Sequence, residues 1–142
     1  MDADGLAQAC AEAMYAADRA SQHLGITISD VGPGRATARM TVTETMVNGH
    51  GLCHGGLVFT LADTAFAFAC NTHGTVTVAA GADVVFVAPV RLGDELVAVA
   101  AEKQRGRRTG ICDVTVLRGD EVVAEFRGRS HDTGVAMGIG QR

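Results

Sequence analysis

The most constraining feature of the chain is residues 55–71, GGLVFTLADTAFAFACN, its longest stretch without an internal breaker. An apolar run can be a helix or a buried strand. Its length decides for a helix, since strands usually stop after about 4–8 residues. Apolar side chains fall on every side of the helical wheel, so burial is expected nearly all round. Gly74 is the expected stop. Such a helix needs something to wrap it, and the flanking segments have the pattern for it.

Residues 35–42, RATARMTV, alternate apolar and polar, as a half-exposed strand does. Residues 25–31 are its expected hairpin partner, with the turn at Gly32-Pro33-Gly34. After Gly74 period two returns. Val76, Val78, Ala80, Ala82, Val84, Phe86 and Ala88 are expected on one face of a long strand closed by Pro89. Residues 96–101, then Cys112, Val114 and Val116, then Val122, Ala124 and Phe126 read as three more strands. Residues 2–20 read as a helix with Leu6, Ala9, Cys10, Ala13, Ala16 and Ala17 on one stripe. The expected fold is α+β: an N-terminal helix, then a long central helix wrapped by a curved antiparallel sheet of five to six strands. One domain is expected over residues 1–133, with a frayed Gly-rich tail over 134–142.

Composition narrows the function classes. The core must come mainly from Ala and Val, with five Phe, one Tyr and no Trp. Elements must therefore pack closely or share a core with a second copy. A net charge of -4 argues against a general nucleic-acid partner. Four scattered cysteines without a C-x-x-C pair suit a reducing cytoplasm. The acidic N-terminus lacks the pattern of a signal peptide, and the apolar run is shorter than the roughly 20 residues of a bilayer span. A cytoplasmic protein with no membrane partner is expected.

Two features of the long helix carry chemistry. The first N–H groups of a helix have no partner within it and bear partial positive charge. Gly55 and Gly56 would let a ligand approach that backbone closely, as an oxyanion site requires. Loop flexibility with tight packing explains the glycines as well on this stretch alone. Asp63 is a carboxylate in an apolar helix, explained either by bonding to Thr60 or Thr64 or by a role as nucleophile or base. Together the two features supply parts of an acyl-hydrolysis site. Eight residues of helix span about 12 Å, too far for one Asp63 to reach the carbonyl held at its own Gly55. Two antiparallel helices from two chains would bring both to one substrate, so a homodimer with interfacial sites is expected.

Other schemes fit less well. No G-x-S-x-G elbow is present. Cys53 and His54 are sequence neighbours, which rarely face each other on a loop. His50, Cys53 and His54 have no standard zinc spacing, so no metal and no cofactor is expected. Asn48 and His54 could bond a substrate carbonyl or orient water, or could cap the loop. Residues 103–110, KQRGRRTG, hold four cations at a turn and could grip phosphates or lie solvated.

With these parts in place, the chain resembles hotdog-fold acyl-CoA thioesterases of the phenylacetic-acid-degradation (PaaI) type. The resemblance rests on Asn48-Gly49-His50, Cys53-His54-Gly55-Gly56, Leu61-Ala62-Asp63-Thr64-Ala65-Phe66-Ala67, Gly93-Asp94 after Pro89, Thr109-Gly110, and Phe126-Arg127-Gly128 with Ser130-His131. It runs from about residue 14 to residue 131. It implies aryl-acetyl-CoA substrates, including ring-hydroxylated ones, sheets joined edge to edge in a dimer, and two dimers in a tetramer. It also implies a catalytic Asp63, a carbonyl-polarising Gly55 N–H, and support from Asn48 and His54. Gly56, Thr64, Arg107 and Arg108 are the expected substrate and CoA contacts. A hotdog-fold enoyl-CoA hydratase or dehydratase and a non-catalytic acyl-CoA binding module are the alternatives.

Overall fold

The computed structural model describes residues 1–139. The chain runs α1 (Ala3–Ala17), α2 (Arg19–His23), β1 (Thr27–Gly32), β2 (Arg35–Thr41), a 3₁₀ turn (Glu44–Met46), α3 (Gly55–Cys70), β3 (Thr75–Phe86), β4 (Glu95–Arg105), β5 (Thr109–Arg118) and β6 (Glu121–Ala136). Six antiparallel strands form one sheet in the order β1-β2-β4-β5-β6-β3. β2 and β3 lie far apart in that order, so α3, which joins them, crosses the sheet and packs mainly on β2, β4 and β5. The expected α+β hotdog architecture is what forms.

The core is built from α3 and one face of each central strand. Val58, Leu61, Ala62, Ala65, Phe66 and Phe68 of α3 meet Met40, Leu96, Ala98, Val114, Val116 and Phe126 of the sheet. Gly128 is a packing requirement, because a Cβ there would stand 2.7 Å from the Phe66 ring. Removing a buried side chain such as Leu61 would cost about 2–5 kcal/mol.

α3 is not covered on every side. Gly56 is exposed and Thr60, Asp63, Thr64 and Ala67 are only half-buried; together they form one stripe at helical spacing. The sheet reaches round the rest of the helix and leaves this stripe open. Asn71, not Gly74, closes the helix. Its Nδ2 donates to Ala67 O (2.9 Å) and Thr77 O (2.8 Å), and its Oδ1 accepts from Thr77 N (2.8 Å). Gly74, at φ +90°, makes the turn into β3.

Five sequence expectations shift. The first helix breaks at Asp18, whose carboxylate accepts from Ser21 N (3.0 Å) and Ser21 Oγ (2.6 Å) and so starts α2. The buried stripe of α1 is Ala7, Cys10 and Ala11 with Met14 and Tyr15 beside them, because α1 lies against β1. In β3 the register slips between Ala79 and Gly81. A one-residue slip exchanges the faces. Val76 and Val78 therefore remain exposed while Ala82 and Val84 pack on the core. A similar slip in the β5–β6 pairing turns Val123 into the core beside Ala124. Finally, β6 continues to Ala136, so residues 134–136 are strand where fraying is expected from the glycine content; residues 140–142 of that tail lie outside the described residues.

Candidate active site

The loop before α3 is ordered by its own polar groups. Asn48 Oδ1 accepts from His50 N (2.9 Å) and Leu52 N (3.1 Å), and Asn48 N donates to Leu52 O (2.8 Å). Cys53 N donates to Val90 O (2.7 Å), and His54 N donates to Met46 O (2.9 Å). These bonds aim the chain into α3. His54 is the N-cap residue, yet its side chain makes no capping bond. Among the described residues, the N–H groups of Gly55 and Gly56 meet no backbone or side-chain acceptor. Two donors at the positive end of a sixteen-residue helix are thus left open.

The two glycines have different surroundings. A Cβ on Gly55 would stand 2.9 Å from Phe86 Cζ, whereas a Cβ on Gly56 would meet nothing within 4 Å. A side chain at 55 would have to push the Phe86 ring aside. Nothing in the protomer explains the glycine at 56.

Beside Gly55 lies an apolar pocket of about 380 Å³, walled by Leu52, Val58, Phe86, Pro89, Val90 and Val123. Its outer wall is the segment between β3 and β4. Arg118 Nη1 holds that segment through Pro89 O (2.9 Å) and Asp94 Oδ2 (2.7 Å), and its other guanidinium nitrogen pairs with Glu121. Asp94 also accepts from Arg91 N (2.8 Å).

Asp63 sits on the open stripe of α3. Neither neighbouring threonine bonds it: Thr60 Oγ1 donates to Gly56 O (2.8 Å) and Thr64 Oγ1 to Thr60 O (2.7 Å). Among the described residues the Asp63 carboxylate has no hydrogen-bond or ion-pair partner. Partial burial pushes its pKa above the usual carboxylate range. A carboxylate without a structural partner, raised in basicity by desolvation, is suited to act as a base or nucleophile.

The expected site residues fall into three groups within one protomer. Asn48, His54, Gly55 and Gly56 gather at the N-terminal end of α3. Asp63 and Thr64 lie about 12 Å or more along the helix from Gly55. Arg107 and Arg108 are exposed on the β4–β5 turn, near the C-terminal end of α3, where Cys70 and Arg108 border the same small cleft. Both form no ion pair among the described residues, while Arg105 pairs with Asp132 at 3.7 Å. No group of three or more His, Cys, Asp or Glu side chains placed to hold a metal occurs among the described residues. Phe86, Val90, Val123 and Arg118 carry no motif, and sequence reasoning misses them. Pro89 marks the end of a strand, but what packs over Gly55 cannot be read from a glycine.

An uncapped Gly-Gly helix start and an unpartnered aspartate thus share one helix, held in the curve of an antiparallel sheet with the hotdog architecture. A family model of the thioesterase superfamily matches residues 50–125, and the chain belongs to that superfamily of thioester hydrolases. Within it the chain is of the PaaI type. It is 45% identical to the acyl-coenzyme A thioesterase PaaI of Escherichia coli K12, over 87% of this chain and 89% of that one. The structure of the E. coli PaaI protein from the phenylacetic acid degradation operon superposes with a TM-score of 0.93, covering 95% of this chain and 99% of that one at 42% identity. A Streptococcus mutans protein solved with acetyl-CoA bound is more distant. It is 25% identical, with a TM-score of 0.75 over 78% of this chain and 90% of its own.

Proposed function

We propose that the chain hydrolyses aryl-acetyl-CoA thioesters, phenylacetyl-CoA or a ring-hydroxylated form of it, to the free acid and CoA. The observation that carries this reading is Asp63: a desolvated carboxylate with no partner among the described residues, on the one stripe of α3 left open. Similarity to the E. coli protein supports the substrate class, and the acetyl-CoA bound to the S. mutans protein supports CoA as the carrier.

The site takes groups from two chains. The thioester carbonyl oxygen accepts from Gly55 N–H, where the helix end favours the negative charge that develops; one such donor is typically worth about 3 kcal/mol. Asp63 of the second chain acts on the carbonyl carbon in one of two ways. It attacks directly, expelling CoA thiolate and leaving a mixed anhydride that water then hydrolyses. Alternatively it takes a proton from water, whose hydroxide adds to the carbonyl before CoA thiolate departs. Asn48 and His54 flank the carbonyl, Gly56 and Thr64 line the path of the substrate, and Arg107 and Arg108 contact the CoA phosphates.

The open edge of β3 supports the dimer. This twelve-residue edge strand contains neither Lys nor Pro and exposes Val76, Val78, Val85 and Phe86. Edges of that kind are normally covered. Pairing with the β3 of a second copy covers it and sets the two α3 helices antiparallel. Two such dimers form the tetramer. No described helix is long and apolar enough to cross a membrane, and a cytoplasmic site of action is part of the proposal.

Single turnover in heavy-oxygen water tests the reading. Label in Asp63 indicates direct attack, and label only in the product acid indicates a general base. An Asp63→Asn protein that folds and turns over normally removes Asp63 from the chemistry.

A further inference from the structure

The turn between β4 and β5 is closed by Gly106 N, which donates to Thr109 O (2.7 Å), and it carries Arg107 and Arg108 at its tip. The arginines about this turn are held differently. Arg105 Nη2 is already paired with Asp132 Oδ2 (3.7 Å). The Arg107 side chain has no hydrogen bond or ion pair among the described residues. Arg108 is better held. Its C=O accepts from Asp132 N (2.7 Å), and its Nη1 lies 3.7 Å from where a Cβ on Gly134 would stand.

Asp132 organises the surface on which Arg108 rests. It lies one residue past the pairing of β6 with β5, which ends at His131. Its Oδ1 accepts from Gly134 N (2.8 Å), and its Oδ2 accepts from Thr75 Oγ1 (2.9 Å) at the start of β3. Gly134 stands at φ +75°, where glycine is favoured. The carboxylate thus pins a bend in β6 directly beneath the Arg108 guanidinium. The Gly134 N–H, then the Thr75 hydroxyl, hold its pKa below the usual carboxylate range.

We propose that Asp132 is a positioning residue: it holds the bend of β6 against which Arg108 lies, and Arg108 so held takes the nucleotide phosphates of CoA. The inference rests on the thioesterase reading above. A guanidinium already supported loses less side-chain freedom when a phosphate binds than one on a free tip. The charge of Asp132 acts in the opposite sense. A carboxylate that was merely a neighbour of the turn would repel phosphate, and its removal would tighten CoA binding. The two roles therefore predict opposite signs.

The test compares phenylacetyl-CoA with S-phenylacetyl-pantetheine, which keeps the thioester and lacks every phosphate, by release of free thiol. The wild-type protein is expected to favour the CoA ester in kcat/KM by about ten- to a hundredfold, the effect of a hydrogen bond to a charged group. Asp132→Ala is expected to raise KM for the CoA ester roughly three- to tenfold with little change in kcat, and to lower the CoA-to-pantetheine ratio by the same factor. Asp132→Asn can still accept from Gly134 N and can donate to Thr75 Oγ1, so it is expected to restore or exceed the wild-type ratio. Arg108→Gln is expected to lower the ratio, and adding Asp132→Ala to it should lower the ratio no further. Thr75→Val removes one of the carboxylate's two bonds and serves if Asp132→Ala fails to fold; a smaller fall in the same ratio is expected, and no fall overturns the inference. A ratio that Asp132→Ala leaves unchanged or raises overturns it, as do equal losses on both esters, an Asp132→Asn protein as poor as Asp132→Ala, and a wild type that does not prefer the CoA ester. Each of these leaves the thioesterase reading standing. Hydrolysis of neither ester by wild type overturns both.

Discussion

The ring of Phe86 occupies the space that a side chain on Gly55 would need, with Phe86 Cζ only 2.9 Å from where a Cβ would lie. The last residue of β3 thus lies over the first residue of α3. Gly55→Ala must displace the ring. We expect kcat/KM to fall about ten- to a hundredfold, in line with a misplaced reacting group, while circular dichroism stays native. Gly56→Ala has open space in the protomer and should raise stability by up to about 1 kcal/mol. A loss of activity in that variant would report a ligand or a second chain passing close to residue 56.

Asp63→Asn separates chemistry from stability. The carboxylate has no structural partner to lose, so the melting temperature should hold or rise while kcat falls about 10²- to 10⁴-fold. The pH dependence has a definite sign. A folded-state pKa above the unfolded one means that the folded chain binds the proton more tightly. Stability from this group is therefore greatest below the unfolded carboxyl's pKa and declines as pH rises through the folded value. Asp63→Asn should remove that slope in pH-dependent melts. The acid limb of kcat/KM should lie above the usual carboxylate range.

Asp94 behaves in the opposite sense. The Arg91 N–H first, and then the Arg118 guanidinium, hold its pKa below the usual range. The stability it contributes is present above the ordinary carboxyl pKa and is lost as pH falls through the folded value. Arg118→Gln should shift acid unfolding to higher pH and loosen the Pro89–Val90 wall. A carboxyl titration by NMR and an acid melt check the two effects.

The four cysteines should differ sharply toward iodoacetamide. Burial pushes the thiols of Cys70 and Cys112 up to about 12, and Cys10 is raised and fully buried. Burial, then the charge of Asp94, raises Cys53 as well, but Cys53 is half-buried at the mouth of the pocket. Mass spectrometry of briefly treated native protein should find Cys53 modified first. A CoA thioester should slow that reaction, and the modified protein should be inactive.

Val78→Lys probes the edge of β3. Val78 is 46% exposed, so the change costs the protomer little. A lysine on an open edge blunts its pairing with another strand. Light scattering should show a smaller particle and assays a loss of turnover.

Much of this arrangement is legible in the chain. The length of the apolar run marks α3, the alternating segments mark the strands, and the Gly55–Asp63 spacing separates the two halves of the proposed site. What is not legible has particular causes. A register slip changes the phase of alternation by one residue, so Val78 and Val123 take faces that simple alternation does not predict. Asp18 ends α1 because its side chain competes for backbone N–H groups, an option that helical periodicity does not register. The pocket is assembled from Leu52, Phe86, Val90 and Val123, residues that only the folded chain brings together.

The distance between Gly55 and Asp63 along one helix has a genetic consequence. In the proposed two-chain site, a subunit lacking its aspartate still offers a sound helix tip, and a subunit with a spoiled tip still offers its aspartate. Mixing two such inactive proteins would restore one whole centre in every hybrid pair, so defective alleles of this kind should complement each other.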